Sequence, residues 1–212
     1  MLTFFVKKVC FSFCLLGCFQ IGVPKELIES TKNIRFGKLR HLTTLGLYMT
    51  ILTTLLGFFI NDDQTFLGKI YLNMLATTLP LEMAISLLFW VIYYLNPPAL
   101  FNSELYNNNI RTTLFGSSCT HLFPLLLLLL QIRKKNLRRS LVHYYLLGMV
   151  GILYFVQVHL FFYFNKSFPY PFLNKLGFNQ RIILFFVCFC MIIVLYEIFM
   201  YLINLKSTNH LK

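Results

Sequence analysis

The chain has 212 residues, of which 58% are hydrophobic and 12% charged, and its mean hydropathy is +0.68. A water-soluble domain of this length cannot enclose so much apolar surface, and the charges cluster between long apolar runs, which excludes a soluble globule and indicates a bundle of membrane-crossing helices. The formal charge of +12 lies in short loops and at the chain ends beside those runs, where it serves attraction to anionic lipid headgroups and orientation in the bilayer; nucleic acid is not expected as a partner, membrane lipids are.

Six spans are expected, at 9–23, 42–60, 70–95, 112–131, 141–164 and 182–204, forming one all-α membrane domain over 1–212. The first is short and can extend toward Thr3, with Lys7 and Lys8 reaching to the headgroups. The same stretch resembles a signal peptide, and Leu15-Leu16-Gly17-Cys18 a lipoprotein cleavage site; Phe19-Gln20 is a poor start for a mature chain and further spans follow, so an uncleaved helix is favoured. Cys10, Cys14 and Cys18 recur at helical spacing and share a face. No His or acidic residue accompanies them, so packing, or lipidation of Cys10, is favoured over a metal site.

The second span is uncharged, and its 19 residues would rise about 28 Å, close to the hydrocarbon thickness. The third is long enough to tilt and contains Pro80 and Glu82. The fourth ends in the leucine run 125–130 and holds Cys119, His121 and Pro124; Pro124 cannot donate a backbone hydrogen bond and loosens or kinks the helix. The fifth and sixth are rich in Phe and Tyr, with Cys188 and Cys190 inside the last apolar run. Alternation of polar and apolar residues is absent, so each run must satisfy its backbone as a helix and not as a barrel strand.

Turn-forming residues separate the spans: Asn61-Asp62-Asp63-Gln64, Asn96-Pro97-Pro98, Asn107-Asn108-Asn109 and Phe168-Pro169-Tyr170-Pro171. Trp90, Tyr93, Tyr94, Tyr163 and Tyr201 suit the membrane–water interfaces. Five of the seven residues of the loop 133–139 are Lys or Arg, which predicts a cytoplasmic position for it and, with six spans, for both termini.

Ionisable groups within the spans are costly and are functional candidates by default. They are Glu82, His121, His143, His159 and Glu197. Glu82, near the middle of its span, suits structural pairing or catalytic support. Glu197 lies toward the cytoplasmic end, where its carboxylate can snorkel. His143 is close to a loop and can be solvated. His159 sits among Tyr and Phe near the opposite interface and reads as an aromatic-packed residue. His121 occurs in Ser118-Cys119-Thr120-His121-Leu122-Phe123-Pro124, and a polar break at membrane depth is tolerated where it lines a cavity.

Several segments, in order along the chain from Gly37 onward, resemble the androgen-induced-gene-one family of membrane threonine hydrolases. They are Gly37-Lys38-Leu39-Arg40-His41-Leu42-Thr43, Phe89-Trp90-Val91-Ile92-Tyr93, Tyr170-Pro171-Phe172-Leu173, Leu176-Gly177 and Arg181-Ile182-Ile183-Leu184-Phe185-Phe186. The resemblance implies a hydrolase of the endoplasmic reticulum membrane that cleaves fatty acid esters of hydroxy fatty acids, with a lipid ester as substrate and no cofactor. It implies a threonine nucleophile at Thr43 and a supporting histidine at His121. Where the family has an Asn before its histidine, Ser117 and Ser118 stand here, and alignment on Pro124 would put Cys119 at the histidine position. His121 is preferred, because a one-turn adjustment beside Pro124 is easier than loss of the base. Thr43 and His121 fall in the same, non-cytoplasmic half of the bilayer, though their positions along their spans differ by roughly 12 Å in rise. The alternative is a non-catalytic multi-span protein, a transporter or structural partner, that keeps the fold; a transporter would show matched broken helices in repeated halves, of which Pro80 and Pro124 give a faint sign. No metal, nucleotide or flavin motif is present in the sequence.

Overall fold

The computed structural model describes residues 2–29, 32, 34–60, 62–100, 106–133, 135 and 137–209; Asn61, Lys134 and Asn136 of the loops read above lie outside them. Among the described residues every regular element is helical: α1 (Leu2–Cys18), α2 (Lys25–Glu29), α3 (Leu42–Phe59), α4 (Phe66–Leu95), α5 (Leu114–His121), α6 (Phe123–Ile132), α7 (Leu141–Asn165) and α8 (Phe178–Asn209), with single 3-10 turns at Gly37–Arg40, Pro97–Ala99 and Pro171–Lys175.

Among the described residues five segments are long and apolar enough to cross a membrane: Leu42–Phe59, Phe66–Leu95, Leu114–Ile132, Leu141–Asn165 and Phe178–Ile203. They correspond to the last five expected spans, with α4 and α8 starting a turn earlier than expected. The first span is corrected. Its helix runs over Leu2–Cys18 where 9–23 was expected, because Gln20 and Gly22 adopt positive φ (56° and 80°) and turn the chain away. At 17 residues α1 rises about 25 Å.

The helix starts follow from their caps. Thr65 and Thr113 each accept a hydrogen bond at 3.0 Å from the N–H three residues on, in Gly68 and Gly116, and Ser140 accepts from Val142 at 3.3 Å. Lys166, in the left-handed region at φ 57°, ends α7. Pro124 divides the fourth span as expected: α5 stops at His121, Leu122 takes φ −106° and ψ −51°, and α6 restarts with Pro124 in its first turn, where no N–H is needed.

Helix α4 is the centre of the bundle and packs against α3, α5, α6, α7 and α8, while α1 closes the side formed by α3, α5 and α6. Leu75, Ala76, Thr78, Leu79 and Glu82 of α4 are fully buried, whereas Ile183, Phe186, Val187 and Val194 of α8 are exposed on the bundle surface, as residues facing acyl chains must be. Gly17 and Gly116 let α1 approach α5 closely: a methyl group on Gly17 would lie 2.9 Å from the Cys119 carbonyl oxygen, and one on Gly116 would lie 2.8 Å from that of Ile21. Cys10 and Cys14 are buried against Leu47 of α3 and Leu127 of α6, and among the described residues no three His, Cys, Asp or Glu gather as a metal would require.

A polar seam joins α3, α4 and α6. Gln131 Nε2 donates to Thr54 Oγ1 at 2.7 Å and its Oε1 accepts from the Tyr71 hydroxyl at 3.2 Å; Thr53 and Thr78 hydroxyls meet at 3.4 Å; Thr50 donates to Glu82 Oε1 at 3.1 Å. Interhelical bonds of this kind contribute about 0.6 kcal/mol each in a membrane. Gln131→Leu should therefore lower stability by about 1–2 kcal/mol, measured as unfolding in a denaturing detergent against wild type.

His143 departs from its expected solvation. It is buried, with Nδ1 2.8 Å from the Tyr196 hydroxyl and Nε2 3.1 Å from Asn73 Oδ1, so it ties α7 to α8 and α4. Glu197 pairs with Arg139 and accepts from the Tyr144 hydroxyl at the bundle end that carries the loop 133–140, where Lys135 also meets Asp63 at 2.5 Å. His159 packs against Phe155, Phe168 and Phe178 as its surroundings in sequence suggested.

Candidate active site

At the opposite end of the bundle the chain enters α3 through the Gly37–Arg40 turn, reversed by positive φ at Phe36 (67°) and Gly37 (46°). His41 caps α3, so Thr43 falls in the first turn, where backbone N–H groups have no partner within the helix. Two tyrosines hold this turn. The Leu42 N–H donates to the Tyr154 hydroxyl at 3.0 Å and to the Tyr170 hydroxyl at 3.3 Å, and Tyr154 donates to the Arg40 carbonyl at 3.2 Å. The Gln157 side chain donates to the Leu39 carbonyl. Helix α7 and the loop 166–177 thus clamp the start of α3.

Thr43 and Tyr170 stand side by side on the walls of both cavities described below. Burial raises the Tyr170 pKa above its ordinary value, and the nearby Tyr154 and Thr43 hydroxyls, the hydrogen bond from the Leu42 N–H and the charge of Arg40 act against that rise. Next to it, Arg40 Nε donates to His41 Nε2 at 2.8 Å. Burial first, and the Arg40 charge second, push the His41 pKa down to about 3, so this imidazole is neutral at physiological pH and accepts from the guanidinium. Burial also lowers the Arg40 pKa, partly offset by Tyr170.

His121 is the last residue of α5, set there by the break before Pro124. Its ring lies flat on Phe89 of α4, with centroids 3.4 Å apart and planes 8° from parallel. It is buried, and its Nδ1 has no hydrogen-bond partner among the described residues. Stacking fixes the plane of the ring, leaving its nitrogens to act at its edge.

Thr43 and His121 border the same two cavities despite the difference in their positions along α3 and α5. One, of about 570 Å³, runs between α4, α7 and α8 and is walled by apolar groups such as Leu81, Ile85, Leu147, Gly151, Phe185 and Ile192. The other, of about 580 Å³, lies between the end of α1, the Gly37–Arg40 turn, α5 and the loop 166–177, and carries Lys38, Arg40, His41, Ser117, Thr120 and Asn174. Thr43, Phe89, Leu100, His121 and Tyr170 belong to both walls and form the boundary between them. A hydroxyl and an imidazole on that boundary can act on a group whose apolar part lies on one side and whose polar part lies on the other.

Cys119, the competing position for the histidine, is fully buried against α1 and borders neither cavity. Glu82 is also fully buried. Its Oε1 is taken by Thr50, its Oε2 has no partner among the described residues, and it borders neither cavity, so of its two expected roles the structural one fits. Sequence reasoning passed over Arg40, His41, Tyr154 and Tyr170. Arg40, His41 and Tyr170 stand inside the motif segments and could have been singled out there; Tyr154 had no such signal.

No curated protein and no solved structure matches the chain. A family described as FAR-17a/AIG1-like protein matches residues 3–204, which takes in every transmembrane segment and both walls of the site. With that match running almost the whole length of the chain, and with the segments 37–43, 89–93 and 170–186 inside it, the protein belongs to the FAR-17a/AIG1-like family.

Proposed function

We propose that the protein is a membrane-embedded lipid ester hydrolase, with Thr43 as nucleophile and His121 as base, and that fatty acid esters of hydroxy fatty acids are its substrates. The observation that carries this is the shared position of Thr43 and His121 on the boundary between an apolar and a polar cavity. An acyl chain fits the apolar side, and the ester carbonyl then comes level with the hydroxyl. His121 takes the Thr43 proton as the oxygen attacks the carbonyl carbon. The oxyanion faces the positive end of α3, where the Thr43 N–H is available as donor. Collapse expels the alcohol, which leaves with the proton held by His121. A water deprotonated by His121 then cleaves the acyl-threonine, and the threonine oxygen recovers the proton.

The apolar cavity runs past Ile152 and Phe186, both exposed on the bundle surface, so a lipid can enter sideways from the bilayer. This reading puts the protein in the endoplasmic reticulum membrane, as the family resemblance implies. The dense positive charge of the loop 133–139 favours a cytoplasmic position for it and for both termini. The catalytic pair then serves the opposite half of the bilayer.

The test is release of free fatty acid from a branched ester by purified protein in detergent. Release no greater than from heat-denatured protein would reject the hydrolase and leave a non-catalytic member of the family. The cavity itself makes a finer prediction. A Cβ on Gly151 would meet only Phe189, at 3.6 Å, so a side chain can be added without breaking the α7–α8 contact. Gly151→Trp should fill the acyl side and lower kcat/KM for a long-chain ester about tenfold or more, while an acetyl ester is cleaved at close to the wild-type rate.

A further inference from the structure

We infer that the polar cavity is an anion subsite, in which Arg40, assisted by Lys38, holds a carboxylate on the alcohol half of the ester and so selects esters with a free acid group over neutral ones. The inference rests on the hydrolase reading above and names what that site recognises beyond the scissile bond.

Among the described residues Arg40 has no counter-ion. The ion pairs among the described residues are Lys135–Asp63 and Arg139–Glu197, both at the other end of the bundle. Glu26 and Glu29 of α2, the acidic groups described at this end, are exposed and border neither cavity. A half-buried guanidinium without a carboxylate is unfavourable unless a ligand supplies one. Its orientation is nonetheless fixed: Nε donates to His41 Nε2 at 2.8 Å, and the guanidinium stands 5.6 Å from the centre of the Phe161 ring. Its Nη groups have no protein partner among the described residues. Two parallel N–H donors of that kind match a carboxylate.

Lys38 reaches the same cavity, its Nζ donating to the Cys18 carbonyl at 3.2 Å with two further protons to offer. Ser117, Thr120 and Asn174 supply neutral polar groups on the same walls. The position also fits the chemistry. Arg40 is three residues before Thr43, and its charge reaches Tyr170, which stands with Thr43 on the boundary between the cavities. A carboxylate held there places the ester bond of a hydroxy acid at the boundary, with the acyl chain on the apolar side. Among the described residues no Lys or Arg lines the apolar cavity, so the two halves of such an ester cannot exchange places without leaving a carboxylate unpaired among apolar groups.

The experiment compares a fatty acid ester of a hydroxy fatty acid with the same compound as its methyl ester, in neutral detergent. Wild-type protein should show kcat/KM about tenfold or more higher for the free acid. Arg40→Gln should bring that ratio close to one, Arg40→Lys should retain part of it, and Lys38→Gln, a change at an exposed side chain, should reduce it by a smaller factor. Binding of the two uncleaved compounds to Thr43→Ala protein reads the subsite without turnover and should show the same preference. Equal kcat/KM for acid and methyl ester in the wild type would overturn the subsite and leave the hydrolase standing. So would an Arg40→Gln protein that loses activity on both compounds in the same proportion, since that marks a structural role. Absence of cleavage of either compound by wild type rejects the hydrolase; the binding comparison then decides the subsite alone. The same cations could take a lipid phosphate. Inhibition by added phosphatidate without any preference for the free acid would assign the cavity to headgroups and overturn the proposal.

Discussion

Thr43→Ala is expected to lower hydrolysis of the branched fatty ester by roughly a thousandfold or more, because the variant has no atom at that position able to form the acyl intermediate. The change is small in every other respect. Thr43 is in the first turn of α3, its side chain supports no helical hydrogen bond on which the bundle depends, and the turn is held by Leu42 through Tyr154 and Tyr170. Truncation of its side chain should cost about 1 kcal/mol of stability, which a membrane bundle of this size tolerates. Thr43→Ser restores a nucleophile at the same site and should recover much of the rate. Release of free acid measured by mass spectrometry, and fluorophosphonate labelling of wild type against the alanine variant, report the two halves of this expectation. Equal labelling of both proteins would remove Thr43 from the mechanism.

The elements recovered from sequence are those whose cause is local. Uninterrupted apolar runs set α3, α4, α7 and α8, and the missing N–H of Pro124 set the break between α5 and α6. The first helix was misplaced because apolar character continues past Cys18 while the backbone does not: Gln20 and Gly22 turn at positive φ, and Gln20 carries no strong signal for that. His143 was misread for the opposite reason. Its nearness to a loop is a fact of sequence, but its partners Tyr196 and Asn73 lie 53 and 70 residues away and meet it only when α4, α7 and α8 pack. The same limit hid the collar around Thr43. The candidates Thr43 and His121 come from the motif segments and the polar break, whereas the contacts of Arg40, His41, Tyr154 and Tyr170 arise from α7 and the loop 166–177 folding over the start of α3.

His121→Gln is expected to lower kcat by roughly a hundredfold to ten-thousandfold, the range that a positioned general base supplies, with far less effect on binding. The stack on Phe89 should survive in part, since a planar amide can lie on the ring at 3.4 Å as imidazole does, so the variant separates loss of the base from loss of packing. Two parallel substitutions give the result its meaning. Cys119→Ala tests the alternative alignment; the thiol faces α1 and touches neither cavity, so activity should stay within a few-fold of wild type. His41→Gln tests the other imidazole of the polar cavity. His41 Nε2 already accepts from Arg40 Nε at 2.8 Å and is not free to take a proton from Thr43, so His41→Gln should keep kcat well above that of His121→Gln. A fall of kcat in His41→Gln as large as in His121→Gln would transfer the base from α5 to the cap of α3, two residues from the nucleophile.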